Sequence, residues 1–553
     1  MKFKFILALA LFGSSVFASY ADGYKDGVEY FQAGQEENAE IVLLQTLDEA
    51  TTDKAEAYYY LGWIELNKGN LDQATKYFDL GLQANPEYAY NYVGKGAVAL
   101  KKGNADAAKD FFKDAEKINK KDAKIRVDIA RAYYNADKVK YNKQWNDALK
   151  DAKKKDKQES AIYIFEGDMF ADEQKYGDSA GYYEMAINFD AERPIAYVKY
   201  ANTYFRINPA VAIQKLEEIV AKNPNSALAQ RELAEKYYEN NQWTKAAEQY
   251  KNVIDNPNHF ASDDERYVVL LYFGKNYQES LSRAQAQLQK NPNAFLMKRM
   301  VFLNQAALGQ YAEAEKSAVE MFKSASEDNL LSSNDYTTYG DVLRELGKEE
   351  QALGEYEKAV EINPDKVELL KDLSGAYSSA ATSTTDSIKA ADYHLKSAKL
   401  FAQFIEKGNH PTPSNDLYIL AGRYQNVVAT ALNDSIKNAA YEKANAVIDS
   451  VLVRVPEDYR IAQRKARIAL TYEGTDRSKG LAVAPYNLMM ETINKDPEID
   501  PEKKKDAFME AYLYLASYYL ANKDTATAKS YYLKYLELDP TNEALKKYID
   551  NMK

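Results

Sequence analysis

The spacing Tyr58, Leu61, Gly62, Ala74, Phe78, Pro86 constrains this chain more than any other feature. Tyr512, Leu515, Ala516, Ala528, Tyr532 and Pro540 stand at the same offsets near the other end. Tyr336, Gly340, Ala352, Tyr356 and Pro364 follow the same ruler. So do Tyr92, Gly96, Ala108 and Phe112, where Lys120 replaces the proline. An interval preserved across 553 residues marks an internal repeat, and a repeat decides the architecture before any domain boundary does.

The pattern resembles the tetratricopeptide repeat (TPR), a helix–turn–helix unit of about 34 residues with the signature W-x2-L-G-x2-Y, then A-x3-F, then P. Tyrosine usually replaces the tryptophan here. The resemblance covers nearly the whole mature chain, and it implies an all-α fold. The expected architecture is a TPR α-solenoid, a superhelix of about fourteen helix–turn–helix units with a C-terminal cap helix. Units are expected to open near Tyr20, Ala55, Ala89, Ala123, Ser160, Pro194, Ala227, Ser262, Phe295, Ser333, Val367, Pro413, Tyr459 and Met509. A single helix pair cannot bury its apolar face alone, whereas stacked pairs share a continuous core. Gly62, Gly96 and Gly340 let the two helices of a unit approach closely, and Ala74, Ala108, Ala352 and Ala528 do so from the second helix. Pro86 and Pro364 end their units, because proline cannot continue a helix.

Residues 1–18 read as a secretory signal peptide. Lys2 and Lys4 form the basic head, Ile6 to Phe12 the apolar run, and Val16-Phe17-Ala18 the small-x-small exit. That run is too short to span a bilayer. Residues 19–330 are expected to form an N-terminal array, 331–540 a C-terminal array with longer repeats, and 541–553 a cap helix. The polar stretch SASEDNLLSSND (Ser324 to Asp335) is the expected joint. The fourth unit carries extra residues around Val139 to Gln144. Asp386-Ser387, Asp434-Ser435 and Asp524-Thr525 read as N-caps of second helices. SSAATSTTDS (Ser378 to Ser387) reads as an inserted loop, and Thr541 as the cap of the last helix. No cysteine is present, so an exported chain would have no disulfide and no lipid-modified cysteine.

Net charge is −11, with an isoelectric point near 5.2 and no long basic run, which argues against a nucleic-acid groove. His259, His394 and His410 are far apart and lack partners at metal-ligand spacing. No nucleophile elbow, HExxH motif, phosphate loop or EF-hand appears. The chain therefore reads as non-catalytic, with no cofactor and no metal.

The 46 tyrosines mostly occupy fixed packing places of the repeat. In the segment AYYYLGW, a rotation of 100° per residue puts Tyr58, Leu61, Gly62 and Glu65 on one face and Tyr59, Trp63, Leu66 and Asn67 on another. The first face should meet the second helix of the unit. The other should turn to the concave side, which in the family usually binds a peptide, helix or partner domain. Tyr24, Phe31, Tyr59, Trp63 and Tyr90 then either line one groove for a partner or pack between adjacent first helices. Tyr60 belongs to neither face. A lysine–asparagine–arginine carboxylate clamp, used by some tetratricopeptide domains, is not met, since Val93 and Ala97, then Thr337 and Asp341, stand at the clamp positions.

The function expected from all this is a non-catalytic exported scaffold that binds a protein or peptide partner on the concave face, in a complex of the cell envelope. The N-terminal segment GYKDGVEYFQAGQEENAE is similar to the opening of exported, periplasmic tetratricopeptide proteins of Gram-negative bacteria. The location expected is periplasmic, or else secreted or outer-membrane associated through a partner. The alternative is a glycan-binding, nutrient-capture accessory protein of the envelope, against which the missing cysteine and regular array count. No transmembrane segment and no nucleic-acid partner is expected for the mature chain.

Overall fold

The computed structural model describes residues 23–256, 259–408 and 411–552. The signal-peptide reading, the first unit's opening near Tyr20 and His410 lie outside the described residues. Among the described residues every regular element is a helix.

The chain divides into two compact units, one up to Met300 and one from Val301. Unit 1 is a succession of helix pairs. These are α1 (Tyr24–Gln32) with α2 (Glu36–Thr46), α3 (Lys54–Asn67) with α4 (Leu71–Ala84), α5 (Tyr90–Lys101) with α6 (Ala105–Ile118), and α7 (Ala123–Asp137) with α8 (Asn142–Lys155). Then follow α9 (Ser160–Asp172) with α10 (Tyr176–Phe189), α11 (Pro194–Tyr204) with α12 (Pro209–Lys222), α13 (Ala227–Glu239) with α14 (Trp243–Ile254), and α15 (Ala261–Phe273) with α16 (Tyr277–Lys290). The boundary between units falls inside α17 (Phe295–Ala307).

Unit 2 continues with α18 (Tyr311–Lys323), α19 (Ser333–Glu345), α20 (Glu349–Ile362), α21 (Glu368–Ser383), α22 (Ser387–Lys407), α23 (Ser414–Thr430) and α24 (Asp434–Arg454). It ends with α25 (Tyr459–Glu473), α26 (Val483–Lys495), α27 (Pro501–Ala521), α28 (Thr525–Leu538) and α29 (Glu543–Asp550). Along the sequence these helices make fourteen successive pairs with α29 left over, so the expected count of units and the terminal helix are both present. The helices α22, α24 and α27 reach 21 residues each.

The contact that holds a pair is the one the repeat spacing implies. A Cβ on Gly62 would lie 2.4 Å from the Phe78 ring, and one on Gly96 would lie 2.2 Å from Phe112. Gly340 stands in the same relation to Tyr356, at 2.9 Å. Phe78 is enclosed from both sides, because a Cβ on Gly94 of the next unit would meet it at 2.2 Å. Ala74, Ala108, Ala352 and Ala528 are buried, so the second helix presents a methyl where a larger group would push the pair apart. Between the two helices of a unit the backbone often takes one left-handed residue. Glycine supplies it at Gly69 (φ +85°), whereas Lys275 (φ 64°) takes it at the steric cost of a Cβ.

Three local expectations need correction. Asp386 and Asp524 do cap their helices, accepting amides of Ile388 and Lys389 and of Thr527. The cap of α24 is Asn433, whose side chain accepts from Ile436 N, while Asp434 is already helical. Likewise Asn542, not Thr541, caps α29, and the Thr541 hydroxyl donates to Asp539 instead. Most of SSAATSTTDS is helix. The last turns of α21 run to Ser383 because Tyr377, Ala380 and Ala381 are buried there, and burial of that face outweighs the weak propensity of its serines and threonines. The loop shrinks to the residues just before Asp386. Of the extra residues of the fourth unit, Val139 to Tyr141 lie in the turn between α7 and α8, with Val139 exposed, and Asn142 to Gln144 open α8. The polar stretch from Ser324 is the irregular connection between α18 and α19, inside unit 2.

Candidate functional site

Unit 1 curls until its beginning meets its seventh pair. Helix α1 packs against α11 and α13 as well as its sequence neighbours α2 and α3. Polar side chains fasten this closure. Asp26 accepts from the Ala227 amide and from Asn256 Nδ2. Glu29 accepts from the Ser226 hydroxyl, Arg231 donates to the Tyr30 hydroxyl at 2.7 Å, and Gln35 donates to Glu232 at 2.9 Å. Arg231 also pairs with Asp263 at 2.6 Å and lies over the Tyr30 and Phe260 rings. Burial pushes the Glu29 carboxyl up to about 7, against the lowering effect of the Ser226 bond and with the Asp26 charge adding to it. Asp26 is raised too, chiefly by burial.

Inside this turn lies a cavity of about 260 Å3. Its walls come from first helices: Phe31 and Gln32 of α1, Tyr59, Tyr60 and Trp63 of α3, Lys124, Val127, Asp128 and Arg131 of α7, Ile164 and Asp168 of α9, and Ile195 and Lys199 of α11, with Arg193 just before it. Gly34, Asn67 and Asn135 stand at its exposed rim.

Of the five residues singled out from sequence, Phe31, Tyr59 and Trp63 line this cavity. Tyr24 and Tyr90 do not. Tyr24 is buried and its hydroxyl faces Glu56 at 3.3 Å. Tyr90, part-buried, donates to Asp122 at 2.8 Å with Lys124 over its ring. Tyr59 and Trp63 are only 4% and 5% exposed, so most of each side chain is packing, with an edge left to the cavity. The Tyr59 ring touches those of Tyr60, Trp63, Phe78, Tyr88 and Tyr90. Its hydroxyl donates to Asp128 at 3.2 Å. The Trp63 indole N–H lies beside that hydroxyl without an acceptor in hydrogen-bond geometry. Tyr60, which belonged to neither face, is a cavity wall whose ring meets Phe31 and whose hydroxyl accepts from Gln32. Tyr58 stacks on Tyr77 of α4, as its place in the repeat implies.

The charged half of the cavity was not identified from sequence. Lys124 pairs with Asp128 at 2.7 Å, and Arg131 and Lys199 both pair with Asp168, at 2.9 and 2.8 Å. Tyr183 of α10 donates to the same carboxylate. Burial works against the Asp168 charge, yet Lys199 and Arg131 hold its carboxyl below the usual range. Burial likewise opposes the Lys124 charge, which Asp128 and the Tyr60 hydroxyl sustain above the ordinary lysine value. Arg131 and Asp168 occupy in their units the place Trp63 occupies in its own, where Ala97, Asn202 and Glu235 also stand, so the register sets no residue type there and marks neither of them.

Little elsewhere converges on chemistry. Among the described residues no group of histidine and carboxylate side chains could hold a metal ion, and no helix is long and apolar enough to cross a membrane. His394 is buried, with burial and then Arg423 keeping its pKa below the ordinary value, and His259 bonds the Asn256 carbonyl. A cavity in unit 2, about 230 Å3 beside Tyr418 and Ile461, includes an Asp458 already engaged by Arg460.

Family comparison matches four segments to tetratricopeptide-repeat models: residues 55–88, 208–258, 336–366 and 510–542. No curated protein matches the chain. Among solved structures, the C-terminal part of a TPR repeat-containing protein of Cytophaga hutchinsonii is 23% identical. The match covers 51% of this chain and 98% of that one with a TM-score of 0.37. A tetratricopeptide repeat protein of Parabacteroides merdae is 13% identical, with 52% and 98% covered and a TM-score of 0.29. The matched segments fall in both units, two of them (55–88 and 336–366) carry the glycine–aromatic contact of Gly62 and Gly340, and the chain contains tetratricopeptide repeats in both units.

Proposed function

We propose that this protein is an exported scaffold that binds a protein or peptide partner on the inner, first-helix face of unit 1, around the mouth of the cavity. The repeat fold is generally a non-catalytic interaction scaffold, and that coarser role rests on the family matches. The observation that carries the finer reading is the convergence of α1, α3, α7, α9 and α11 on one cavity that includes Phe31, Tyr59 and Trp63. Aromatic side chains and arginine, here Phe31, Tyr59, Trp63, Arg131 and Arg193, are the residue types enriched at partner surfaces. Export, and with it an envelope setting, rests on the leader pattern of residues 1–18.

The test is affinity capture from envelope extract with the full chain and with rim variants. Asn67→Arg and Asn135→Arg change exposed side chains at the mouth, and Lys109→Glu changes an exposed residue of the outer helix α6. The rim variants should lose a specific partner that wild type and Lys109→Glu retain. Equal capture by all four would refute the inner-face assignment. Deleting residues 2–18 should leave the chain unexported; continued export would refute the leader as its signal, and retention of the wild-type chain inside the cell would remove the location from the reading.

A further inference from the structure

We propose that the cavity enclosed by unit 1 binds a small anionic molecule, a single carboxylate or phosphate carried on an apolar body. This goes beyond the partner reading, because it concerns what fills the interior and not what covers the mouth.

The cavity volume of about 260 Å3 is near the lower end of the range of small-molecule sites, which begins at about 300 Å3. The closure made by α1 against α11 and α13 bounds it on one side.

Charge gives the sign of the ligand. The lining cations are Lys124, Arg131, Arg193 and Lys199, and the lining carboxylates are Glu36, Asp128 and Asp168, a surplus of one positive charge. This occurs in a chain whose net charge is −11. Glu36 is occupied at the rim by Asn67. The donors are also under-used. Besides their ring contacts with Tyr90 and Phe165, Lys124 gives one hydrogen bond, to Asp128, and Arg131 one, to Asp168, with which Lys199 also pairs. Arg193 gives one to Ser160, with Glu159 farther off at 3.6 Å. A lysine has three donors and an arginine five, so several N–H groups remain for a ligand oxygen. Charge-assisted bonds to a carboxylate or phosphate are about twice as strong as neutral ones. Phe31, Val127, Ile164 and Ile195 supply the apolar walls for the rest of the molecule.

The test uses the full chain and three probes: 3-phenylpropionate, phenyl phosphate and uncharged 3-phenylpropionamide. Binding is read by calorimetry and by tryptophan fluorescence, with Trp63→Phe removing the reporter in the cavity wall. At least one anionic probe should bind with Kd below about 1 mM and at least tenfold tighter than the amide. The tighter of the two anions tells a carboxylate source from a phosphate source. Lys199→Gln should weaken that binding at least fivefold while the melting temperature stays near wild type, since Arg131 and Tyr183 still hold Asp168. If Lys199→Gln does not fold, Arg193→Gln, which leaves Asp168 fully paired, replaces it with the same expected loss. Exposed Lys109→Gln should change nothing. Equal affinity for the amide, no saturable binding of either anion, or unchanged affinity in the cation variant would overturn the proposal.

Discussion

Phe78 shows at the level of single residues what the repeat is for. Its ring fills a slot that exists only because Gly62 in its own unit and Gly94 in the next carry no side chain. Gly62→Ala should therefore overpack the α3–α4 pair and cost about 1–3 kcal/mol, seen as a lower urea midpoint. Adding Phe78→Leu should recover part of that loss, because the smaller side chain vacates the space the new methyl needs. If the double variant is no more stable than the sum of the singles, the clash lies elsewhere. Gly62 and Phe78 were legible because the repeat fixes their residue type. So was the split of the AYYYLGW segment: Tyr58 meets α4, while Tyr59 and Trp63 reach the cavity. Lys124, Arg131, Asp168 and Lys199 were not picked out. The repeat prescribes no residue type at their places, and their pairing depends on three helices meeting around an interior that no local pattern encodes.

For the elements, the boundaries of helix pairs followed from the spacing, because each unit must bury the same face against its neighbour, except that the last pair opens at Pro501 and not near Met509, because α27 is extended at its start to 21 residues. Local caps were less legible: Asn433 and Asn542 compete with adjacent Asp434 and Thr541 for one structural role, and one residue of register decides between them. The closure by α1 was invisible, since it joins residues about 200 positions apart through ordinary polar side chains. It has a pH signature. Glu29 has a pKa raised by burial to about 7 in the folded chain, from the usual 4.5. The closed state thus prefers the protonated carboxyl. Its contribution is fully present below pH 4.5 and is lost as pH rises through about 7. Glu29→Gln, which keeps an uncharged side chain beside Ser226, should melt close to wild type at pH 4.5 and above it at pH 7.5. A difference that stays constant with pH would show that Glu29 titrates normally and that the closure does not depend on its charge.

At the scale of the whole molecule, the repeats place the chain among interaction scaffolds, and the leader pattern is the ground for proposing export. Each unit buries its own core, and the candidate site lies within unit 1 alone. The central claim is that the first-helix face around the cavity mouth is the working surface. It is tested most directly by placing a photo-crosslinking residue at Asn67, Asn135 or Lys109 of the full chain in its native cells and mapping the products. Asn67 and Asn135 should each crosslink to the same partner protein, and Lys109 on the outer helix should not. Crosslinks to that partner from Lys109, with none from the rim, would contradict the account.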